Sequence, residues 1–448
     1  MEKFTPEFIE EFRSIIIEKD KERALDILND LHPADIAELY QEMDIDEAEF
    51  VYHILDAEKA ADVLLELDDD DRRKMLERLP VDVIAKQFID HMETDDAVDV
   101  IRDLDEDVQE EILSHIDDVE QAGDIVDLLK YDEDTAGGIM GTEMVIVNEN
   151  WSMAECVKEM RLQAETMDEI YYVYVVGDDE RLKGIFPLKK MITNPSVSQI
   201  KHVMESDPVA VKTDASIEEV AQIIEKYDIV AVPVIDSIGR LVGRITVDDV
   251  MDEVREQSER DYQLASGISQ DIESTDTVFD QTKARLPWLL IGIGGGIASA
   301  TILGGFENSL AAHPALALFI PLIGGTGGNV GIQSSAIVVQ GLANGTLDIK
   351  NAWNQVIKES GVATINATII SILVFVYNLF FLDNNAITAA VSLSLLAVVL
   401  FASIFGTIVP LTLEKLKIDP ALATGPFITI TSDIIGVLIY MGVCDLLL

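Results

Sequence analysis

His313–Leu342, HPALALFIPLIGGTGGNVGIQSSAIVVQGL, decides how the whole chain is read. From Pro314 to Gly341 no side chain is charged, as a membrane span requires. The same stretch carries Gly324, Gly325, Gly327, Gly328 and Gly331, with Thr326, Asn329 and Gln333 among them. As one straight helix its 28 uncharged residues would reach about 42 Å against a hydrocarbon core of roughly 30 Å, so a strong tilt or a break at the glycine run is expected. Gly324, Gly328 and Gly331 share one helical face and would let another backbone come close, which tight helix packing alone would explain. Unwound, Gly327-Gly328-Asn329 would instead turn bare backbone inward, which is tolerated at that depth only against protein or a water-filled cavity. The lysine of a phosphate-cradling loop is missing.

Four more apolar stretches flank this one, giving five expected spans: Leu286 to Phe306, Ala315 to Gln340, Val356 to Phe381, Ala386 to Leu413 and Ala421 to Asp445. Lys350 and Lys358 flank the second loop and Lys415 and Lys417 the fourth, while the first and third loops have no Lys or Arg. The positive-inside rule then puts the N-terminus in the cytoplasm and the C-terminus outside a multi-pass plasma membrane protein. Asp433 lies 12 positions into the last span, about 18 Å along its axis and so near the midplane, where a carboxylate costs at least about 2.5 to 3.5 kcal/mol. Thr429, Thr431 and Ser432 beside it are polar too. Such an acid faces a pore, or is protonated and bonded to a neighbouring helix; Asn366, Thr368 and Asn378 suit interhelical hydrogen bonds.

Charge is divided as sharply as hydropathy. The 448 residues hold 82 acidic and 32 basic side chains, of which 8 and 4 lie from Leu286 onward, leaving a net charge of −46 on the first 285 residues. That half repels nucleic acid and anionic lipid, attracts cations, and resists compaction unless counterions bind. Cys156 and Cys444 are far apart and the six histidines are scattered, so neither a disulfide framework nor a thiolate or imidazole metal site is indicated. Met1 to Asp20 is charged and amphipathic, unlike a signal peptide. With no nucleophile beside a base, no Walker loop and no paired catalytic carboxylates, the reading is of a protein that is not an enzyme.

The expected fold class is a multidomain integral membrane protein. Residues 1–130 read as an acidic all-α superhelix: Pro33 to Leu39, Ala60 to Leu67 and Asp96 to Leu104 echo one another between acidic, helix-capping turns. Residues 131–199 and 200–254 then repeat one α/β pattern, a strand, a helix opened by Ser152 or Ser216, a strand pair and another helix. Residues 247–284 supply a connecting helix whose Asp248, Asp252, Glu256 and Glu259 share a face, followed by a second connecting segment from Ser269 to Lys283; residues 285–448 form the five-helix transmembrane domain.

The duplicated α/β pattern resembles a tandem of CBS domains, carried by Val232-Pro233-Val234-Ile235-Asp236 and Gly239 through Asp249. That resemblance implies a possible ATP site at the CBS pair, with Thr246 and Asp249 in the second copy; Tyr171, Tyr172 and Phe186 would stack on the base, although the first copy has Pro187 and Lys190 where the motif has Thr and Asp. The order of parts as a whole is similar to the MgtE-type magnesium transporter and channel family, through Arg285-Leu286-Pro287-Trp288, Gly327-Gly328-Asn329 with Gln333, and Asp419-Pro420-Ala421 with Gly425-Pro426 and Asp433.

The resemblance implies a homodimer in the lipid bilayer with a pore on its two-fold axis, where Asp433 and Asn329 meet a hydrated Mg2+. It further implies Mg2+ uptake shut off by cytosolic Mg2+ bridging Glu58, Asp90, Asp95, Asp228, Asp248, Asp249, Asp252, Glu256, Glu259 and Asp419. The membrane potential would drive such a conduit inward by about 4.6 kcal/mol per 100 mV. An ion-coupled secondary carrier of divalent cations, and a membrane-anchored CBS sensor or scaffold, are the alternatives.

Overall fold

A computed structural model of the chain describes residues 4–40, 42–164, 167, 169–269, 272, 277–343, 346–347, 352–382, 384–423 and 425–448. They form two compact units, Met1–Val254 and Arg255–Leu448.

The first unit opens with short helices, from Pro6–Ile17 to Val119–Leu128. Their acidic turns are caps, as read from the sequence. Asp56 accepts from the Lys59 amide, Asp68 from Asp71, Asp118 from Glu120, and Asp44 with Glu47 closes a capping box. Each helix is too short to be stable alone and gains stability by burying its apolar face. Leu28, Ile36, Leu64, Ile84, Phe88 and Ile101 lie within that core, which continues into the CBS pair through Ile139 and Met140 of the first copy and Val211, Val220 and Val250 of the second.

The two α/β copies form separate sheets. In the first, β1 (Val145–Asn148) runs parallel to β2 (Tyr172–Val176), which pairs antiparallel with β3 (Leu182–Pro187) and then β4 (Glu205–Ser206). In the second, β5 (Val211–Lys212) runs parallel to β6 (Ala231–Ile235), antiparallel in turn to β7 (Leu241–Thr246). Ser152 closes a capping box with Glu155, and Ser216 accepts from the Glu219 amide, so both copies start their first helix by the same device. Glu205–Ser206 pairs with β3 at the edge of the first sheet.

The connecting helix, Val247–Ala265, ends at Gly267, whose φ of +81° suits a residue without a Cβ. Its far end is seated closely on the membrane unit. A Cβ on Gly425, itself at φ +50°, would lie 2.0 Å from the Ala265 carbonyl oxygen, and one on Gly267 would lie 2.5 Å from Pro426 Cγ. Ser269 donates to the Ala284 carbonyl through both its amide (3.0 Å) and its hydroxyl (2.8 Å).

Among the described residues, five helices of the second unit are long and apolar enough to cross a membrane: Val278–Gly305, Pro314–Ala343, Ala352–Phe381, Asn385–Lys415 and Gly425–Leu447. The fourth is the most buried and packs against the second, third and fifth; the first packs chiefly on the fifth. Two expectations are corrected. The helix Ile320–Ala343 runs unbroken through the glycine run, and the irregular part precedes it as a 3-10 segment, Pro314–Phe319. The separate segment read from Ser269 to Lys283 gives way from Val278 onward to one helix continuous with the first span, opened by a Thr277 cap. Helical hydrogen bonds satisfy the glycine backbone internally, so no carbonyl needs water there.

Candidate functional site

A cleft of about 410 Å³ lies between the first, second and fifth spans, with Asp433 in its wall. Gly292, Gly295 and Gly296 line it from the first span, and Gly324, Gly325, Gly328 and Asn329 from the second. A Cβ on Gly324 would come within 3.3 Å of Asp433 Oδ1, and one on Gly328 within 3.8 Å. The glycines therefore leave the carboxylate room beside bare helix. A hydrated magnesium ion, six waters at about 30 Å³ each, needs on the order of 180 Å³, which this cleft exceeds. The other glycines are there for packing. Gly327 faces Val398, Gly331 faces Ile428 and Ser432, and a Cβ on Gly406 would lie 2.3 Å from the Gly331 carbonyl oxygen. Of the two readings of the glycine run, close packing holds at these positions, while the unwound backbone does not, because the cleft is bordered by intact helix.

Outside the membrane, a second constellation lies at the seam between the helical domain and the CBS pair. Glu93, Asp95 and Glu143 offer carboxylate oxygens that all lie within 4.8 Å of one another. Glu93 is the residue before the helix Thr94–Arg102, Asp95 is in its first turn, and Glu143 precedes β1. The Thr94 amide donates to Glu143 Oε1 (3.0 Å), the Thr94 hydroxyl to Oε2 (3.1 Å), and the Thr142 amide to Thr94 Oγ1 (2.9 Å). Gly141 makes the approach possible, since a Cβ there would lie 2.8 Å from Asp95 Oδ2.

Burial, then Asp96, Asp249, Glu143 and Glu93, pushes the Asp95 carboxyl well above the usual range. Burial and Asp249 push Asp96 up to about 7, and burial raises Asp249. Crowded, partly desolvated carboxylates of this kind are stabilised by a hard divalent cation, and an all-oxygen donor set suits magnesium or calcium rather than a soft metal.

Of the residues singled out from the sequence, Asp433 and Asn329 share the membrane cleft. Asp95 is central to the seam, and Asp249 adjoins it. Most of the others are held by local structure. Asp90 accepts from the Asp117 amide (3.0 Å), Asp419 from Ala421 (2.7 Å), Glu256 pairs with Arg260 and Glu259 with Arg255. Asp228 is a left-handed helix cap, and Glu58, Asp248 and Asp252 are exposed. Asp249 Oδ2 accepts from the Thr246 amide (3.0 Å) and hydroxyl (2.6 Å), which closes that pair on itself. Tyr171 and Tyr172 border a crevice of about 10 Å³, room for roughly one water. Phe186 corrects its expectation: fully buried in the first CBS core with Val145, Val173 and Ile200, it offers no face to a base.

Sequence reasoning missed Glu93, Glu143 and Arg244. Arg244 is buried in β7, with Nη2 2.7 Å from Glu93 Oε2 and its Nε donating to the Glu143 carbonyl. An arginine set between Val242-Gly243 and Ile245 in the strand Leu241–Thr246 was the available signal.

Comparison with known proteins follows the same division of the chain. A divalent cation transporter family, MgtE, matches residues 320–443; the MgtE intracellular N domain matches 31–134, and CBS domains match 136–195 and 199–256. The magnesium transporter MgtE of Thermus thermophilus is 32% identical over 440 residues, 96% of each chain. The magnesium transporter MgtE of Bacillus subtilis is 30% identical over 417 residues, 93% of this chain and 92% of its own. Among solved structures, the cytosolic domain of the Mg2+ channel MgtE in complex with ATP is 31% identical with a TM-score of 0.52, covering 55% of this chain and 99% of that one.

Proposed function

Because the chain belongs to the MgtE family of magnesium transporters, we propose that it carries Mg2+ through the cleft beside Asp433 and is closed by cytosolic Mg2+ at the seam of Glu93, Asp95 and Glu143. The single observation that carries this reading is a lone carboxylate in a roomy cleft walled by bare helical glycines. Hydrated magnesium sheds water reluctantly, so a wall offering small residues, one charge and the Asn329 amide suits passage of the ion with its waters. Asp433 would attract the cation, and Asn329 would hydrogen-bond to its shell.

The first span supports a homodimer. Gly292 and Gly296, one helical turn apart on the first span, have nothing within 4 Å of an added Cβ, and small residues at this spacing suit a second helix. A two-fold axis beside the cleft would bring a second Asp433 to the same ion. The N-terminus then lies in the cytosol and the seam samples cytosolic Mg2+. An ion there joins Glu93 and Asp95 of the helical domain to Glu143 of the CBS pair; without it their repulsion loosens the joint. ATP, present in the related cytosolic domain, would bind this CBS pair only after the crevice beside Tyr171 and Tyr172 widens.

The test is flux into liposomes holding the purified chain, followed with a magnesium indicator at graded internal Mg2+. Asp95→Asn is expected to raise the Mg2+ needed for half-closure at least ten-fold while leaving open-state flux unchanged. Closure at the same Mg2+ in that variant would dismiss the seam as the sensor. Flux that required a sodium or proton gradient would favour a coupled carrier, and no flux at all would favour an anchored sensor.

A further inference from the structure

Arg244 stands where an acidic seam would be expected to hold only diffusible cations. Its side chain is 5% exposed. Its backbone is locked by paired hydrogen bonds with Gly141, amide to carbonyl at 2.9 Å in each direction. From that fixed point the guanidinium reaches Glu93 of the helical domain (2.7 Å) and the Glu143 carbonyl. Three segments distant in sequence therefore meet on one permanent positive charge. Around it stand Glu93, Asp95 and Glu143, with Asp96 and Asp249 close enough to raise Asp95's pKa. Arginine stays ionised at any physiological pH, and its planar fork holds a carboxylate while donating elsewhere.

We propose that Arg244 is a tethered cation of the seam, which holds the helical domain on the CBS pair before any ion binds and sets how much divalent cation the seam needs. This inference rests on the reading that the seam answers to cytosolic divalent cations. The mechanism is competition and repulsion. Arg244 engages a Glu93 oxygen that an incoming ion would otherwise use, and a divalent ion at Glu93, Asp95 and Glu143 is repelled by the guanidinium beside it. Arg244 also supplies part of the closing force itself, since it sets a permanent positive charge beside five crowded carboxylates. Removing it should therefore move two properties in opposite directions. The metal-free seam should loosen, and the ion should bind it more tightly.

The experiment is hydrogen exchange by mass spectrometry on the full chain in detergent, in EDTA and across a Mg2+ titration. Peptides covering Thr94 and Thr142 report the seam, because their amides donate across it. In Arg244→Met these amides should exchange at least ten-fold faster in EDTA, and Mg2+ should restore protection with a midpoint at least ten-fold below that of the parent chain. Glu93→Gln breaks the same ion pair but removes a ligand, so it should also loosen the metal-free seam while moving the midpoint upward. Peptides from the helix Met153–Gln163, whose Met153 and Cys156 lie in the separate first CBS core, serve as the folding control.

Metal-free exchange unchanged in either variant, or an Arg244→Met midpoint equal to or above the parent's, would overturn the proposal. Should Arg244→Met fail the folding control, Glu93→Gln decides alone: a loosened seam with a raised midpoint supports the tethered charge, and any other result rejects it. A parent chain whose seam ignores Mg2+ altogether would instead overturn the sensing role on which the inference stands.

Discussion

Replacing Asp433 by asparagine keeps the side chain's shape in the cleft and deletes its charge. The size of the effect follows from distance and dielectric. A magnesium ion holding its waters at about 2.1 Å, with one water hydrogen-bonded to the carboxylate, lies about 4.5 Å from the charge. The interaction of a +2 and a −1 charge at that separation is about 1.8 kcal/mol in bulk water and about 7 kcal/mol at an effective dielectric of 20. Asp433 is half-buried in a cleft walled by low-dielectric helix, so the water value is the floor. Ion occupancy, and with it flux at low Mg2+, should fall at least about twenty-fold. The assay is initial Mg2+ uptake into liposomes at concentrations below saturation, normalised to inserted protein. Asp433→Glu, which keeps the charge on a longer stem, should retain more flux than Asp433→Asn. If Asp433→Asn conducts within two-fold of the parent chain, the carboxylate is not on the route and the cleft is a packing defect.

Two further outcomes are expected. Burial followed by Asp249 pushes Asp96 up to about 7 in the fold from an ordinary 3.8. A proton there stabilises the metal-free seam, fully below about pH 4 and progressively less as pH rises through 7; a cation at the neighbouring Glu93, Asp95 and Glu143 is attracted by the ionised form, so its binding weakens as pH falls below 7. Between pH 8 and pH 6 the Mg2+ midpoint for protecting the Thr94 and Thr142 amides should therefore rise about ten-fold, and a midpoint indifferent to pH would contradict the crowding argument. Gly406→Ala should lower the thermal midpoint in detergent by several degrees, because its Cβ meets the Gly331 backbone oxygen at 2.3 Å and costs about 1 to 3 kcal/mol; Gly361→Ala, with nothing within 4 Å, should not, and equal midpoints for the two would deny the close approach of the second and fourth spans.

Much of this architecture is legible because each part has its own periodicity. Apolar runs free of charge mark the spans, acidic caps mark the short helices, and the repeated Ser152 and Ser216 starts mark the two α/β copies. Asp433 stands out since a carboxylate deep in an apolar helix is costly wherever it occurs. The glycine run misled about local geometry. Glycine lowers helix propensity, yet a helix in lipid cannot give up its hydrogen bonds, so the membrane overrode the residue preference. The seam was only half visible. Asp95 is acidic and near a turn, but Glu93 and Glu143 are 50 positions apart, and nothing in their spacing announces that Gly141 lets them meet. Several exposed acids read as ion ligands are capping backbone amides or paired with an arginine one helical turn away, roles that composition alone does not separate from metal binding.

The seat of Ala265 on Gly425 has a mechanical meaning. Ser269 fastens the same few residues to Ala284, at the entrance of the first span, while Gly425 begins the fifth. One short piece of chain thus grips two of the cleft's three walls at once. A twist applied to the connecting helix would be delivered to the two walls together, like a key turning in a lock with two bolts, and any side chain larger than hydrogen at 425 would jam the key.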